Sequence, residues 1–164
     1  MMPERLAGDT VASLVAEMMS DNRRERFFQY AYGNDRFYQE AAQTLLGWAG
    51  VTVERPVLFS NGGQNALTAI LAALFRPGDR IGVDPLVYPG FKSAAKLFGI
   101  RLVPVGQKDG EMSEDGLSYA LKNHHIKGIY VTPDFQNPTT HTMSAAGRER
   151  LAAFSKQHDL LIIE

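Results

Sequence analysis

The sequence predicts an α/β protein in which a mainly parallel sheet carries helices on both faces and follows a helical N-terminal arm. From residue 51 onward, short apolar runs alternate with segments of helical periodicity, as in βαβ units. Glycine and proline turn signals separate these segments. The first 50 residues show helical spacing without a strand pattern. We therefore divide the chain into an arm, residues 1–50, and a sheet domain, residues 51–164.

Two helices are predicted in the arm. Asp9 and Thr10 can cap the first, because the apolar residues that follow recur at the spacing of one helical face. The second covers residues 36–48 and stops near Gly50. The apolar faces consist of Val11, Leu14, Val15, Met18 and Met19 in the first helix and of Phe37, Ala41, Leu45 and Trp48 in the second.

The sheet domain is predicted to alternate five strands with four helices. Ser113 and Ser144 can cap the last two helices. The acidic residues at 109–115 are predicted to form a solvated turn and helix start. The strands are predicted at residues 57–59, 80–83, 100–105, 126–131 and 160–163, and the helices at residues 65–75, 91–98, 113–124 and 144–158.

Composition narrows the possible functions. A net charge of −1 and a pI of about 6.4 give no electrostatic footprint for nucleic acid or an anionic membrane. The absence of cysteine excludes disulfides, thiolate metal sites and a cysteine nucleophile, and it fits a reducing cytoplasm. The sequence has no long apolar run and no signal-peptide pattern. We therefore expect a soluble cytoplasmic protein. We also expect no metal site, because the histidines are not grouped with carboxylates.

Three polar loops follow predicted strands, and each carries distinctive chemistry. They are SNGGQ at residues 60–64, DPLVYPG at residues 84–90 and TPDFQNPTT at residues 132–140. The carboxyl ends of parallel strands lie along one edge of a sheet, where ligands of such sheets bind. A ligand site is therefore expected if these three loops are neighbours.

The first loop joins a predicted strand to a helix through two glycines. If the glycines open the helix, the amides of Gly63 and Gln64 have no partner within it, and the positive end of the helix dipole favours an anion there. The loop lacks the lysine and the glycine spacing of a Walker A motif. A phosphate site and a purely structural turn both remain open on this evidence.

The other two loops each offer one candidate side chain. Pro89 favours an extended backbone at Tyr88, which could hold the Tyr88 ring over a flat ligand, although the ring could equally be wedged under a Pro-Gly turn. Asn137 also precedes a proline, so its amide can project from the sheet edge towards a phenolate or carboxylate oxygen. The alternative for Asn137 is a structural Asn-Pro turn.

In order and spacing, these loops resemble the large domain of the fold-type I pyridoxal-phosphate enzymes, the class I/II aminotransferases. The resemblance runs from about Pro56 to Glu164 and includes the turn at residues 62–67, the Pro-Gly-Asp turn at residues 77–79, Tyr88 and the Asn-Pro-Thr run at residues 137–139. The sequences of residues 83–90 and 130–144 are most similar to those of MocR-type regulators, which carry an aminotransferase-like domain behind a GntR-type winged helix. Thr140 stands where the enzymes commonly have glycine, and this difference also favours a resemblance to the regulators.

The resemblance implies roles for five residues. The backbone amides of Gly63 and Gln64 would bind the phosphate of pyridoxal 5′-phosphate. Tyr88 would stack on the pyridine ring, and Asn137 would donate a hydrogen bond to its phenolic oxygen. Tyr32 would reach the cofactor phosphate of a partner subunit, although Phe37 replaces the glycine of the family's Tyr-x4-Gly pattern.

The resemblance also implies that catalytic parts lie beyond this chain. In the family, the aspartate that pairs with the pyridinium nitrogen follows the position of Glu164, and the Schiff-base lysine comes later. The lysines present here, at positions 92, 96, 108, 122, 127 and 156, do not match that lysine and are expected to lie away from the site. Since domains seldom stop within a core strand, we expect this chain to be a fragment that does not transaminate alone.

Two functions therefore remain for the longer protein, which the family resemblance predicts to be a homodimer that binds a small amino compound. It is either a transcriptional regulator that senses the compound or an aminotransferase that transfers its amino group to a 2-oxo acid. A regulator would contact DNA through an upstream winged helix rather than through this segment. A more distant alternative is a doubly wound nucleotide-binding domain, for which Asp84 is a poor candidate ribose ligand.

Overall fold

The computed structural model of the chain describes residues 4–20, 25 and 36–164. The chain divides into two compact units, Met1–Phe59 and Ser60–Glu164. In these described ranges no helix has both the length and the apolar character needed to cross a membrane.

The first unit contains two helices, α1 (Glu4–Ser20) and α2 (Arg36–Trp48). The bounds predicted for α2 are confirmed. The predicted cap at Asp9 and Thr10 is wrong, since both residues lie inside α1. Four of the five helical residues before them, Glu-Arg-Leu-Ala at residues 4–7, are good helix formers, and the helix extends to them through Gly8.

The predicted strand at residues 57–59 is also wrong, because a side chain takes the hydrogen bonds that a strand partner would supply. The Gln39 side-chain nitrogen donates to the Val57 carbonyl at 2.8 Å, and the Val57 amide donates to the Gln39 side-chain oxygen at 2.9 Å. The ring of Tyr38 meets that of Phe59 edge-on at 5.5 Å. This segment is thus held by α2 as extended chain without sheet pairing.

The second unit has a four-stranded parallel sheet in the order β2-β1-β5-β6 and a small antiparallel hairpin, β3–β4. The hairpin was not predicted, since strands of two residues are too short to show a period of two. The elements in chain order are α3 (Gly63–Leu74), β1 (Arg80–Val83), α4 (Pro89–Leu97), β2 (Arg101–Pro104), β3 (Gln107–Lys108), β4 (Glu111–Met112), α5 (Glu114–His124), β5 (Gly128–Tyr130), α6 (Ala145–Gln157) and β6 (Leu161–Ile163).

Two apolar cores confirm the prediction of helices on both faces of the sheet. The first joins strand residues to α3 and α4, and the second joins alternate strand residues to α5 and α6. This alternation follows from the two-residue repeat of a strand. The first core includes Leu71, Ile81, Val83, Phe91, Tyr130 and Ile163, and the second includes Val103, Leu117, Ile129, Val131, Leu151 and Phe154. With both faces covered, the second and third loops emerge at the carboxyl ends of β1 and β5, whereas the first loop leads into α3 without a preceding strand.

Candidate functional site

The start of α3 leaves backbone amides facing outward. Gly62 is the N-cap residue at φ 86°, and it provides no side-chain cap. Its carbonyl accepts hydrogen bonds from the amides of Asn65 and Ala66, each at 3.1 Å. The amides of Gly63 and Gln64 precede these and have no acceptor within the helix. Only glycine takes this φ at Gly62 without strain, so the sequence builds an uncapped helix start.

The polar side chains around this turn hold its backbone. The Ser60 hydroxyl donates to the Gly62 carbonyl at 3.2 Å, and the Asn61 amide donates to the Asn65 side-chain oxygen at 3.3 Å. A Cβ added at Gly63 would meet no atom within 4 Å, so open space lies in front of the helix. The turn is therefore fixed while its leading amides stay accessible.

The Tyr88 loop touches this turn. Tyr88 is the N-cap of α4 at φ −49° and ψ 124°, outside the α region that a following proline disfavours, and it provides no side-chain cap. The Gln64 side-chain nitrogen donates to the Gly90 carbonyl at 3.0 Å. A Cβ added at Gly90 would lie 2.4 Å from both Gln64 Oε1 and the Tyr88 ring. The close approach of the first two loops therefore requires the glycine at position 90.

The third loop is joined to the second through Gln136, whose side-chain nitrogen donates to the Leu86 carbonyl. The Asn137–Pro138 peptide that follows is cis, and Asn137 is exposed. Asn137 lines a cavity of about 360 Å³ together with Pro89 and Lys92. The expectation that Lys92 lies away from the site is therefore wrong, because α4 presents it one turn after Tyr88.

These contacts join the three loops in sequence, first to second and second to third. Among the described hydrogen bonds, none links Asn137 directly to Gly63, Gln64 or Tyr88, and those three residues do not line the Asn137 cavity. The position predicted for Tyr32 lies outside the described residues.

The far end of the third loop is anchored by Glu111, a residue that the sequence analysis placed in a solvated stretch. Glu111 is only 9% exposed. One of its carboxylate oxygens accepts from the Ser144 amide at 2.6 Å and the other from Arg150 at 2.9 Å. The Ser144 hydrogen bond and the Arg150 charge hold the pKa of Glu111 below its usual range, despite burial. A Cβ at Gly147 would lie 2.2 Å from this carboxylate. The glycine at position 147 is therefore the sequence feature that could have indicated a buried group packed against α6.

A second cavity, of about 400 Å³, lies between the second loop, the hairpin and the third loop. Asp84 lines it, and the Gln107 side-chain nitrogen donates to the Asp84 carboxylate at 2.7 Å. Burial raises the pKa of Asp84, while this hydrogen bond and the nearby His141 oppose the rise. Among the described residues, no group of three or more His, Asp or Glu side chains could hold a metal ion.

The family model described as aminotransferase class I and II matches residues 5–163. The chain belongs to this family. The resemblance drawn from the loops is thereby confirmed, and the second unit is an aminotransferase-like domain with the expected parallel α/β fold.

Relatives in this family include both regulators and enzymes. The chain is 39% identical over 165 residues to the uncharacterized HTH-type transcriptional regulator YdeF of Bacillus subtilis, covering 99% of this chain and 36% of that protein. It is 25% identical over 172 residues to aromatic-amino-acid aminotransferase 1 of Thermococcus litoralis, a match that covers 99% of this chain and 40% of that protein. The chain therefore spans less than half the length of these relatives.

A solved structure shows the same fold. The crystal structure of LysN, an α-aminoadipate aminotransferase from Thermus thermophilus complexed with N-(5′-phosphopyridoxyl)-L-leucine, superposes with a TM-score of 0.80. Its sequence is 25% identical, and the match covers 94% of this chain and 39% of that one. The architecture of the second unit is thus that of an aminotransferase large domain in part.

Proposed function

We propose that this chain is the pyridoxal-phosphate-binding part of the effector-sensing domain of a MocR-type transcriptional regulator. The observation that carries the proposal is the chain of contacts from the uncapped start of α3, through Gln64 and Gly90, to the Tyr88 loop and then through Gln136 to Asn137. These contacts support the proposal because they connect the loops that carry the predicted anion site, aromatic ring and amide, and two of the three loops follow the ends of β1 and β5, where such folds bind ligands.

The residues present fit a phosphorylated pyridine. The amides of Gly63 and Gln64 would hold the phosphate, since they combine open hydrogen-bond donors with the positive end of the α3 dipole. The Tyr88 ring, fixed at the start of α4, would orient the flat ring of the cofactor by stacking. Asn137 would donate its amide to the phenolic oxygen and so stabilise the ionised form of that oxygen.

When bound, the cofactor supplies an electron-withdrawing ring that activates an attached amino compound. This chain would bind and orient the cofactor, while the charge partner of its ring nitrogen and the Schiff-base lysine would come from the rest of the longer protein. The chain alone would then bind weakly and would not transaminate. The ligand that is sensed would be an amino acid or another small amine, and the longer protein would act as a cytoplasmic homodimer.

The regulator is favoured over a catalytic aminotransferase by one specific observation. Identity to the regulator YdeF is 39%, against 25% for the Thermococcus litoralis enzyme and 30% for the 2-aminoadipate transaminase of Thermus thermophilus, each over 99% of this chain. The aminotransferase remains the second candidate, because these enzymes also match nearly the whole chain. Measured transamination by the purified full-length protein with amino acids and 2-oxo acids would decide for the enzyme, and cofactor-dependent operator binding would decide for the regulator.

The phosphate assignment is tested by Gly63→Asp in the full-length protein. The new carboxylate would occupy the anion site, and we expect cofactor affinity to fall by about 100-fold or more, since like charges in contact cost several kcal/mol. The fold should survive, because the site has open space and an acidic residue in the first turn stabilises a helix. Absorbance titration with pyridoxal 5′-phosphate measures the affinity.

Gly47→Asp is the matched control, because Gly47 lies in α2 and its added Cβ would also meet no atom within 4 Å. Its cofactor affinity should equal that of the unmodified protein. Unchanged cofactor binding by a folded Gly63→Asp variant would refute the phosphate assignment.

A further inference from the structure

Asn137 and its neighbour Gln136 differ sharply in how they are held. Asn137 is exposed, and its side chain makes none of the hydrogen bonds found among the described residues. Gln136 is only 8% exposed, although it is polar. Buried polar groups are costly unless their hydrogen bonds are made. The residue that orders this part of the loop is therefore Gln136 rather than Asn137 itself.

The Gln136 side chain uses both ends of its amide to connect two loops. Its nitrogen donates to the Leu86 carbonyl, two residues before Tyr88. Its oxygen accepts from the backbone amide of Thr139 at 3.1 Å and from the Thr139 hydroxyl. Gln136 precedes the Asn137–Pro138 pair and Thr139 follows it, so the Thr139 bonds hold the two sides of this pair together. The Leu86 bond connects the same buried side-chain amide to the second loop.

The Gln136 backbone closes the same loop. Its amide donates to the His141 carbonyl at 2.9 Å, and its carbonyl accepts from the Thr140 amide at 2.6 Å. Thr140 is held at φ 59°, where a β-branched residue is strained. Such strain persists only where surrounding contacts enforce it. The contacts of Gln136 thus determine the path of residues 136–141.

We infer that Gln136 is the positioning residue that sets Asn137 at a fixed place relative to Tyr88, an inference that rests on the cofactor role proposed for Asn137. Because the Asn137 side chain makes none of the hydrogen bonds found among the described residues, its amide can meet the cofactor only if the backbone around it is fixed. The Leu86 bond fixes that backbone relative to the Tyr88 loop, and the Thr139 bonds fix it internally.

The test is Gln136→Met in the full-length protein, which keeps the length of the side chain and removes the bridge. Gln107→Met is the matched control. Gln107 also holds the loop at residues 84–90, through Asp84 at 2.7 Å, and none of the hydrogen bonds found among the described residues joins it to residues 136–141. Three quantities are measured: the cofactor Kd, the apparent pKa of the bound cofactor's visible absorbance, and amide hydrogen exchange at Thr139 and Thr140 without cofactor.

We expect Gln136→Met, which removes three side-chain hydrogen bonds, to raise the cofactor Kd about 3- to 30-fold, since a part of their free energy is lost from binding. It should also shift the absorbance titration in the same direction as Asn137→Ala and speed amide exchange in the cofactor-free protein. Gln107→Met should leave the titration unchanged. In the double variant with Asn137→Ala, the shift from Gln136→Met should disappear, because residues that act through one another are not additive.

The outcomes separate this inference from the proposed function. If Asn137→Ala moves the titration and Gln136→Met does not, the positioning role is overturned and the cofactor role of Asn137 stands. If neither variant moves it, both are overturned. Additive shifts in the double variant would also overturn the inference. If Gln136→Met does not fold, Thr139→Val replaces it. That variant removes the two bonds of the Thr139 hydroxyl, to the Gln136 side chain and from the His141 amide at 3.4 Å, but keeps the Leu86 bond, so it should give a smaller shift in the same direction.

Discussion

The helices of the second unit start in two different ways. At α5 and α6, Ser113 and Ser144 accept hydrogen bonds from the amides of Gly116 and Gly147, each at 3.0 Å. At α3 and α4, the N-cap residues Gly62 and Tyr88 provide no side-chain cap. The two uncapped helices are those whose N-termini carry three of the candidate cofactor residues, Gly63, Gln64 and Tyr88.

This difference shows how one local feature serves two purposes. Every helix start has amides without an intrahelical partner. Where the protein supplies the acceptors, as Ser144 and Glu111 do at α6, the helix start stabilises the fold. Where the described part of the chain supplies none, as at Gly63, the same amides are free to bind a ligand. The account therefore predicts that the α6 start governs stability and the α3 start governs cofactor binding.

The largest effect on stability is expected at the α6 start. Glu111→Ala removes the acceptor of the Ser144 amide and the partner of Arg150, leaving both groups less well satisfied. We expect the free energy of unfolding to fall by about 2–3 kcal/mol, measured by urea denaturation. Glu149 is an exposed acid within α6, and Glu149→Ala should change the free energy of unfolding by no more than about 0.5 kcal/mol. Equal effects of the two variants would contradict the role of Glu111.

A smaller effect is expected from pH. Because the pKa of Glu111 is lowered in the folded protein, the folded state holds this proton less tightly than the unfolded state does. The stabilisation is therefore complete above the unfolded pKa, about 4.3, and it is lost as the pH falls through the lower folded value. Denaturation between pH 5 and pH 2.5, roughly this window, should show a steeper loss of stability for the unmodified protein than for Glu111→Gln.

Much of the fold follows from local sequence. The bounds of α2 and β1 and the serine caps of α5 and α6 were predicted correctly, because each has a strong signal within a few residues. The strand expected at residues 57–59 failed because Gln39, 18 residues earlier, takes its backbone hydrogen bonds. A short apolar run cannot reveal such a distant side-chain partner.

The candidate site was predictable in its parts rather than in its assembly. The loop motifs identified Gly63, Tyr88 and Asn137 as candidates, and the topology indicated that their loops meet. The residues that join the loops, Gln64 through its side chain and Gln136, have no sequence signature for that role. Glu111 was missed for the same reason, because its burial depends on a glycine 36 residues later.

The most direct test of the central claim is the amide NMR spectrum of the isotope-labelled full-length protein during titration with pyridoxal 5′-phosphate. The account predicts large shifts at the Gly63 and Gln64 amides, which pyridoxal without the phosphate should not reproduce, and none at the capped Gly147 amide. Equal shifts with both compounds, or shifts that spare Gly63 and Gln64, would contradict the claim that α3 is left open for a phosphate.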